Sequence, residues 1–359
     1  MIPRRLIPLR ALLLVGALLA VSLGPAREAL TRLDAPSSCI EPNRRVTMYA
    51  GELPRTPEGD IRLGYGTTPD NISIPGPTIE MLEGECLAIT LVNDVSAGTL
   101  AELRDDPILG GIDPDLPLGV SLHVHGVKYT PASDGTIHTG SWVAPGEART
   151  YIWYAAPRLS SGARVTSQGT AGTWWYHDHA VGTAHGTGGA ASGLYGAMIV
   201  RRPGDVIPDR TYVVGMGPDA TLNLRHHPDC PSAPRLEDAS NSCYVATQGE
   251  LVEFAVIGFG SDFHSFHLHG HNWADNRTGM LLGPADETRL IDNRTIGPAD
   301  TFGFMVRAGE GVGPGHWMLH CHVQAHSDRG MTTFLHVLAP NGLPLPPMPI
   351  GGPGAHIHG

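Results

Sequence analysis

Four histidine pairs of the form His-x-His constrain this chain more than any other feature. The pairs are His123-Val-His125, His177-Asp-His179, His267-Leu-His269 and His320-Cys-His322. Side chains on a β-strand alternate faces, so each pair offers two imidazoles to one place. The chain has 19 histidines in 359 residues, and random placement of that many gives about one such pair. Eight imidazoles delivered by four strands suit a cluster of copper ions.

A second donor set surrounds Cys321. This cysteine is followed by His326 and Met331; one Cys, one His and a weak axial Met are ligands of blue-copper sites, which also need a second His. His264 is the natural second histidine, because it lies three residues before His267 and so faces the opposite side of a regular strand. Cys321 likewise faces away from the histidines on either side of it. The alternation predicts that His264 and Cys321 share one copper, while the flanking pairs serve others.

The apolar segments are short and are separated by turn residues. Examples are Cys86–Asn93, Thr150–Tyr154, Leu194–Val200, Leu251–Ile257 and Thr333–Leu338. The chain contains 46 Gly and 31 Pro and has no long amphipathic helical pattern, which favours an all-β fold built from sandwich domains. The formal net charge of −11 argues against a nucleic acid as partner.

A turn-rich segment at Arg202–Asp205 divides the chain. We predict a first domain over residues 39–203, a second over 204–340, and an irregular C-terminal tail over 341–359. Both domains end in the same order, with a His-rich strand, a Gly-rich loop and an apolar strand. This order suggests a duplicated domain.

Residues 1–26 have the composition of a secretory signal. Basic residues come first, then the apolar run Ala11–Gly24, then small residues. The run is short for a membrane-spanning helix, which needs about 20 residues, and an uncleaved N-terminal anchor is the alternative. The pair Arg4-Arg5 is consistent with the twin-arginine route, and an ordinary signal with a basic start is the alternative. We therefore predict an exported protein, either secreted or tethered at the cell surface.

Four cysteines remain once Cys321 is assigned to the metal motif. They are Cys39, Cys86, Cys230 and Cys243. An even number in an exported chain predicts two disulfides, and free buried thiols are the alternative. Cys230 and Cys243 are close together in one polar loop, which favours that pair and leaves Cys39 with Cys86, although three pairings are open.

The motifs around the histidines resemble those of the multicopper oxidases, and more closely those of the bacterial two-domain laccases, the small laccase group. The resembling segments are Leu122-His-Val-His-Gly126, Trp175-Tyr-His-Asp-His179, Gly182–Gly189, Phe266–His271, Trp273–Gly279 and Gly297–Asp300. The resemblance covers about residues 40–340 and implies two cupredoxin-like Greek-key β-sandwich domains. It also implies four coppers per chain: one of type 1, one of type 2 and a type 3 pair.

The resemblance also assigns the copper ligands, position by position. It places on the type 1 copper His264, Cys321 and His326, with Met331 axial. It places on the type 2 copper His123 and His267. It gives the type 3 pair the ligands His125, His177, His179, His269, His320 and His322. The other histidines are predicted to be structural or solvated: His138, His185, His226, His227, His271, His316, His336, His356 and His358.

Three further residues correspond to groups that the resembling proteins place near their trinuclear cluster. Asp134 and Asp292 are candidates for proton delivery to reduced oxygen, and turn chemistry is the alternative for Asp134. Tyr129 is either a redox-active tyrosine or a packed one. The segment Ser261–Phe263 lacks the tyrosines that some small laccases carry there, which puts tyrosine-assisted electron entry in doubt.

Neither domain alone holds a complete set of trinuclear ligands, because each carries two of the four histidine pairs. The cluster must therefore form where a first domain meets a second. Longer laccases use a spacer domain to achieve this within one chain. The resemblance implies that here the second domain of one subunit meets the first domain of its neighbour, which closes into a homotrimer.

The resemblance implies a laccase, which oxidises phenols or aromatic amines one electron at a time and reduces O2 to water. Three other activities are weighed against it. A metallo-oxidase for Cu(I) or Mn(II) usually adds a Met-rich or acidic site, which the ten scattered methionines do not form. A copper nitrite reductase carries its blue-copper Cys in the first domain, and a blue-copper electron carrier would leave most of the histidines unexplained. In the resembling proteins a Met at this position accompanies a modest copper potential, so the resemblance implies that Met331 favours easily oxidised donors such as methoxyphenols.

Overall fold

The computed structural model describes residues 39, 41–107, 113–227, 230–341, 343, 345 and 346. The predicted signal or anchor over residues 1–26 lies outside this part of the chain, as do His356, His358 and most of the predicted tail. Among the described residues, every helix is too short or too polar to span a lipid bilayer.

Strands dominate the described residues, and the helices are short. The strands of the first half are β1 (Arg44–Leu53), β2 (Arg62–Gly66), β3 (Ile72–Ser73), β4 (Ile79–Leu82), β5 (Cys86–Asn93), β6 (His123–Val124), β7 (Ala148–Tyr154), β8 (Arg158–Ser161), β9 (Arg164–Gln168), β10 (Gly172–His177) and β11 (Tyr195–Arg201). Those of the second half are β12 (Arg210–Gly217), β13 (Thr221–Leu222), β14 (Tyr244–Thr247), β15 (Leu251–Gly258), β16 (His264–Leu268), β17 (Trp273–Ala274), β18 (Leu290–Ile291), β19 (Asn293–Ile296), β20 (Thr301–Arg307), β21 (Gly315–Cys321) and β22 (Thr332–Leu338). The α-helices are α1 (Ala97–Arg104), α2 (Thr187–Ser192) and α3 (Gln324–Asp328), and single 3-10 turns lie at Pro131–Ser133, Pro218–Ala220 and Leu236–Asp238.

Each half of the chain forms its own sandwich of two sheets. The strand orders are β3-β2-β1-β5-β7 and β4-β11-β10-β6 in the first, and β13-β12-β15-β20 and β14-β22-β21-β16-β19 in the second. The chain passes from one sandwich to the other between Arg201 and Arg210. This architecture confirms the predicted all-β fold of two Greek-key β-sandwich units.

The two sandwiches repeat the same strand pairing. The parallel pair β1–β5 recurs as β12–β15, and the parallel pair β4–β11 recurs as β14–β22. The antiparallel pairs β6–β10 and β10–β11 recur as β16–β21 and β21–β22. The repeated pairing puts the histidine-bearing strands at equivalent places in the two sheets.

Three of the four apolar clusters among the described residues stabilise the two sandwiches and the contact between them. One fills each sandwich, and a third lies between them, where Trp175, Tyr195 and Ile199 pack with Ile257 and Phe259. Full burial of a large apolar side chain stabilises a fold by about 1.5–3 kcal/mol, so this third cluster fixes the two domains against each other. β11 and β15 are buried at every position because they lie within this double packing. Their sequences carry charge only at Arg201 and Glu253, which pair with each other.

Two disulfides are formed, Cys39–Cys86 and Cys230–Cys243, with Cα–Cα distances of 5.5 and 4.9 Å. Both are the pairings that the sequence favours. Cys321 is the free cysteine of the described chain, and it is buried.

A buried ion pair joins the two domains. Arg201 on β11 reaches Glu253 on β15 through two hydrogen bonds of 3.0 and 2.7 Å, and each residue is 4% exposed. Glu80 adds two further bonds from its half-exposed side chain. Burial opposes the charge of Arg201, but the hydrogen bonds to both carboxylates outweigh it and raise the pKa of the guanidinium.

We expect Glu253→Ala to lower the free energy of unfolding by about 3–5 kcal/mol, because it leaves a buried guanidinium without its main partner. Glu80→Ala is the matched control. It removes the exposed partner of the same arginine and should cost less than about 1 kcal/mol. Thermal unfolding of the two variants beside the unmodified protein measures both values. Equal losses would contradict the importance of the buried pair.

Candidate metal centres

Four strands carry the histidine pairs, and strand pairing brings them together two by two. β6 lies antiparallel to β10 and sets His123 opposite His177. β16 lies antiparallel to β21 and sets His267 opposite His320. Residues i and i+2 share a face, so the second histidine of each pair lies on the same side as the first. Each sandwich therefore presents one group of four imidazoles.

The first-domain group consists of His123, His125, His177 and His179. The ring centroid of His123 lies 5.1–5.3 Å from the other three, and Nε2 of His125 is 3.3 Å from Nε2 of His177. His123 donates its Nδ1–H to the carbonyl of Asp134 at 2.6 Å, and His177 donates to the carbonyl of Asp178 at 2.7 Å. These bonds assign the proton to Nδ1 and leave the Nε2 of both rings as a lone-pair donor.

The second-domain group consists of His267, His269, His320 and His322. The ring centroid of His267 lies 4.8–5.4 Å from the other three, and Nε2 of His269 is 3.2 Å from Nε2 of His320. His267 donates its Nδ1–H to the carbonyl of Asp292 at 2.7 Å, and His320 donates to the carbonyl of Cys321 at 2.8 Å. Both groups thus use the same hydrogen-bonding scheme.

Both groups fit copper ions. Metal-bound histidines usually donate their other N–H to a carbonyl or carboxylate, as two rings in each group do. Burial and the neighbouring histidines lower the pKa of His177 well below its ordinary value, and the same causes lower the pKa of His125 to about 4. These two rings are therefore neutral at pH 7, and their Nε2 atoms meet. Donor sets made only of imidazole suit copper.

A third group lies on the other, buried face of β16 and β21. Nδ1 of His264 is 3.2 Å from Nδ1 of His326, which is 3.7 Å from Sγ of Cys321. The backbone N–H of Ser265 donates to the same sulfur at 3.4 Å. Met331 is fully buried and accepts the backbone N–H of Cys321 at 3.1 Å. The structure brings three of the predicted blue-copper donors, His264, Cys321 and His326, to one place, and it pairs Met331 with Cys321 through the backbone.

Burial controls the protonation of this third group. It raises the pKa of the Cys321 thiol, although backbone N–H groups of Ser265 and Val323 act in the opposite direction. Burial and the neighbouring His326 lower the pKa of His264 to about 4. A cation that displaces the thiol proton gains a thiolate and two imidazoles, and this soft donor set is the one that blue copper uses.

Cys321 connects the two metal groups of the second domain. Its side chain belongs to the third group, while its carbonyl accepts the Nδ1–H of His320 at 2.8 Å. The hydroxyl of Ser327 donates to the same carbonyl and lies 3.1 Å from Nδ1 of His320. A short path of covalent bonds and one hydrogen bond therefore joins the sulfur to an imidazole of the second-domain group.

The three predicted auxiliary residues lie at the histidine groups. Oδ1 of Asp134 is 3.6 Å from Nδ1 of His123, and the hydroxyl of Thr136 donates to Oδ2 at 2.9 Å. The ring of Tyr129 is 5.9 Å from that of His123, and burial together with the charge of Asp134 raises the pKa of its phenol. Asp292 lies at the second-domain group. Asp134 and Asp292 each accept a histidine N–H through the backbone carbonyl. This contact cannot be predicted from the identity of their side chains.

Several histidines outside these groups have structural contacts. His271 accepts the backbone N–H of Gly309 at 2.9 Å. His336 is fully buried and shares a 2.6 Å hydrogen bond with His316. His336 also approaches Cys230 and Cys243, but a disulfide offers no thiolate to a metal. His185 is exposed, although its ring centroid lies 5.8 Å from that of His179.

The sequence motif alone gives no role to Asp178, the residue between two of the histidines. Its carboxylate is fully buried. Burial raises its pKa to about 6, although hydrogen bonds from the backbone of Val181, Ala180 and Ser121 oppose the shift. The one signal that points to it is positional, since Asp178 stands within its His-x-His pair where Cys321 stands in the last one.

Comparison with known proteins places these groups in a family. Residues 112–205 and 220–340 each match a domain described as multicopper oxidase. A probable nitrite reductase-hydroxylamine oxidoreductase fusion protein of Kuenenia stuttgartiensis is 31% identical over 280 residues, which are 75% of this chain and 28% of that protein. Ceruloplasmin of Rattus norvegicus is 26% identical over 61% of this chain and 21% of its own length. The chain thus spans about a quarter of the length of these curated relatives.

Solved structures share the fold. A multicopper oxidase is 23% identical with a TM-score of 0.53, over 82% of this chain and 88% of its own. The blue copper oxidase of Nitrosomonas europaea is 19% identical with a TM-score of 0.53, over 83% and 86%. The copper nitrite reductase of the same organism is 17% identical with a TM-score of 0.52, over 82% and 93%. With two family domains that together span most of both sandwiches, and with the copper-type donor groups in place, the chain belongs to the multicopper oxidase family.

Proposed function

We propose that this protein is a laccase-type multicopper oxidase of the two-domain kind. It takes electrons one at a time from phenols or aromatic amines at a type 1 copper and reduces O2 to water at a trinuclear cluster. The observation that carries this proposal is the position of Cys321, whose sulfur lies in the buried donor group while its neighbours His320 and His322 belong to the outer imidazole group.

The proposed ligands follow the three groups. The type 1 ligands are His264, Cys321, His326 and Met331. The type 2 ligands are His123 and His267. The type 3 ligands are His125, His177, His179, His269, His320 and His322. The copper count of four per chain belongs to this proposal and rests on the completeness of these sets.

In the second domain, the proposed type 1 ligands and the proposed trinuclear ligands lie on opposite faces of the β16–β21 pair. When bound, the coppers store and pass the four electrons that reduction of O2 requires. The Cys321 thiolate would hold the type 1 copper at the buried face, and the path from its sulfur to His320 would carry an electron to the outer face. Asp134 sits within 3.6 Å of His123, where a carboxylate can hold a proton for transfer to reduced oxygen. Asp292 binds His267 through its backbone carbonyl, and we propose the same proton-holding role for its carboxylate.

The cluster needs both domains, which supports a homotrimer. In the described chain the first-domain histidines and the second-domain histidines form separate groups. A trinuclear site that uses both must therefore join the first domain of one subunit to the second domain of another. Head-to-tail contacts of this kind close into rings, and we propose a ring of three with one cluster at each interface.

We further propose that the protein is exported. Two disulfides among the described residues favour an oxidising compartment. The choice between a secreted and a tethered form depends on residues 1–26, which lie outside the described part. Fractionation of cells that produce the full chain, with and without twin-arginine export, tests the route.

Nitrite reduction is the second candidate, because one relative is named a probable nitrite reductase fusion protein and one structural neighbour a copper nitrite reductase. Two observations favour oxygen reduction instead. The free cysteine lies in the second domain, while the first domain has Asp178 at the corresponding position. The second-domain group also holds four histidines, more than a single type 2 ion needs.

Metal analysis with visible and EPR spectra, followed by two assays, tests the proposal. We expect four coppers per chain, a blue band, and oxygen uptake with a methoxyphenol. Cu(I) as donor and nitrite as acceptor are run beside it. Faster turnover of Cu(I) would shift the function to a metallo-oxidase, nitrite consumption without oxygen uptake would shift it to a nitrite reductase, and a colourless zinc protein would end the proposal.

A further inference from the structure

The first sandwich repeats the surroundings of Cys321 without its metal ligands. In both domains the first histidine of one pair stands opposite the first histidine of the other. The next residue along the strand is Asp178 in the first domain and Cys321 in the second. Two residues before the opposite histidine stands a serine in each case, Ser121 and Ser265.

The contacts of these serines match as well. The backbone N–H of Ser265 donates to Sγ of Cys321 at 3.4 Å, and the backbone N–H of Ser121 donates to Oδ1 of Asp178 at 2.7 Å. The N–H of the histidine that follows also binds the serine, through the backbone carbonyl of Ser265 at 2.6 Å in the second domain and through the hydroxyl of Ser121 at 2.8 Å in the first. The carboxylate of Asp178 therefore occupies the place that the sulfur occupies in the second domain.

The other type 1 ligands have no counterpart in the first domain. His264 precedes its histidine pair by three residues, and the residue at the same offset in the first domain is Val120. His326 follows Cys321 by five residues, and the residue at that offset from Asp178 is Thr183. Neither offers an imidazole, so this position is filled by protein groups and not by copper.

Four hydrogen bonds fix the carboxylate of Asp178 at the position where a metal would fix the sulfur of Cys321 in the second domain. Oδ1 of Asp178 accepts from the N–H of Ser121 at 2.7 Å and from its hydroxyl at 3.3 Å. Oδ2 accepts from the N–H of Ala180 at 2.8 Å and of Val181 at 2.7 Å. A Cβ on Gly189 would lie 2.3 Å from Oδ2, so the carboxylate fills its space. Through these hydrogen bonds the Asp178 carboxylate connects the segment before β6 to the turn after β10.

We propose that Asp178 is a positioning residue for the first-domain half of the type 3 site. Its carboxylate connects the backbone on either side of His177 and His179 to the backbone that precedes His123 and His125. The four rings are thereby set for copper before the metal arrives, as preorganised sites require. This inference rests on the proposed copper function.

The test is Asp178→Asn in the full-length, copper-loaded protein. Asparagine has nearly the same shape as aspartate, but its NH2 group cannot accept a hydrogen bond. That group must face either the N–H of Ser121 or the N–H groups of Ala180 and Val181. Loss of such a supporting contact typically weakens metal binding about 10–100-fold. We expect copper bound to the first-domain histidines to be lost at a chelator concentration at least about tenfold lower than in the unmodified protein. The type 3 near-ultraviolet band should fall with it, while the blue band per chain stays unchanged.

Ser121→Ala provides a second, milder variant that removes only the hydroxyl and keeps the backbone N–H. It should show a smaller loss of the same signals. Glu253→Gln is the matched control, because it alters a buried carboxylate that has no contact with a histidine group, and it should leave the ratio of type 3 to blue signal unchanged.

Three results would overturn the inference. They are an unchanged type 3 signal in Asp178→Asn, a parallel loss of type 3 and blue signals, and, if Asp178→Asn does not fold, an unchanged type 3 signal in Ser121→Ala. Failure of the proposed function looks different, because the unmodified protein would then lack the blue band or the type 3 signal itself.

Discussion

Replacing Cys321 with serine is expected to abolish the blue band and to lower oxygen uptake about a thousandfold, equivalent to about 4 kcal/mol in activation free energy. The reason is local. Serine fits the same buried position and can accept the N–H of Ser265 that now binds the sulfur, so the fold is kept. A hydroxyl does not replace the thiolate as a copper ligand, and the electron path toward His320 loses its entry point. The visible spectrum and oxygen uptake with a methoxyphenol measure the two effects.

Ser327→Ala is the control for this variant. It removes the hydroxyl that donates to the backbone carbonyl of Cys321, but it leaves every proposed type 1 ligand in place. The blue band should therefore persist, with at most a moderate decrease in rate. A blue Cys321→Ser protein, or one with normal oxygen uptake, would contradict the assignment of the sulfur to the type 1 copper.

Alternation along strands explains why so much of the site could be predicted from the sequence. Period-two geometry depends only on residue spacing, so it separates His264 and Cys321 from the histidines beside them without knowledge of the sheet. The short apolar strands of the two sandwiches are marked in the sequence by the turn residues that bound them. The disulfide Cys230–Cys243 was favoured by proximity in the sequence, which restricts the distance between the two residues.

Contacts between distant segments could not be predicted in this way. Asp178 gains its role from Ser121, which is 57 residues away, and strand spacing carries no information on that approach. The carbonyl groups of Asp134 and Asp292 hold histidines, yet every residue has a carbonyl, so nothing in their identity marks them. The pair of Arg201 and Glu253 likewise depends on how the two domains pack.

Two inactive variants should restore activity when they are assembled in one ring. His125→Ala damages the first-domain group, and His269→Ala damages the equivalent second position of the second-domain group. Each alone should lose most of its oxygen uptake, because His125 and His269 directly face His177 and His320. If clusters form between subunits, every mixed trimer contains one interface that joins an intact first domain to an intact second domain.

Mixed trimers selected through two different affinity tags should therefore show about one third of the oxygen uptake of the unmodified ring. The control is a mixture of His125→Ala with His177→Ala, which share a damaged first domain and should recover nothing. A cluster built within one chain predicts no recovery from either mixture, since every chain then carries its own defect. Absence of recovery in purified mixed rings would thus reject the shared site, and an active copper-loaded monomer would reject the ring itself. Recovery near one third requires both the head-to-tail contact and the assignment of each histidine group to a different subunit.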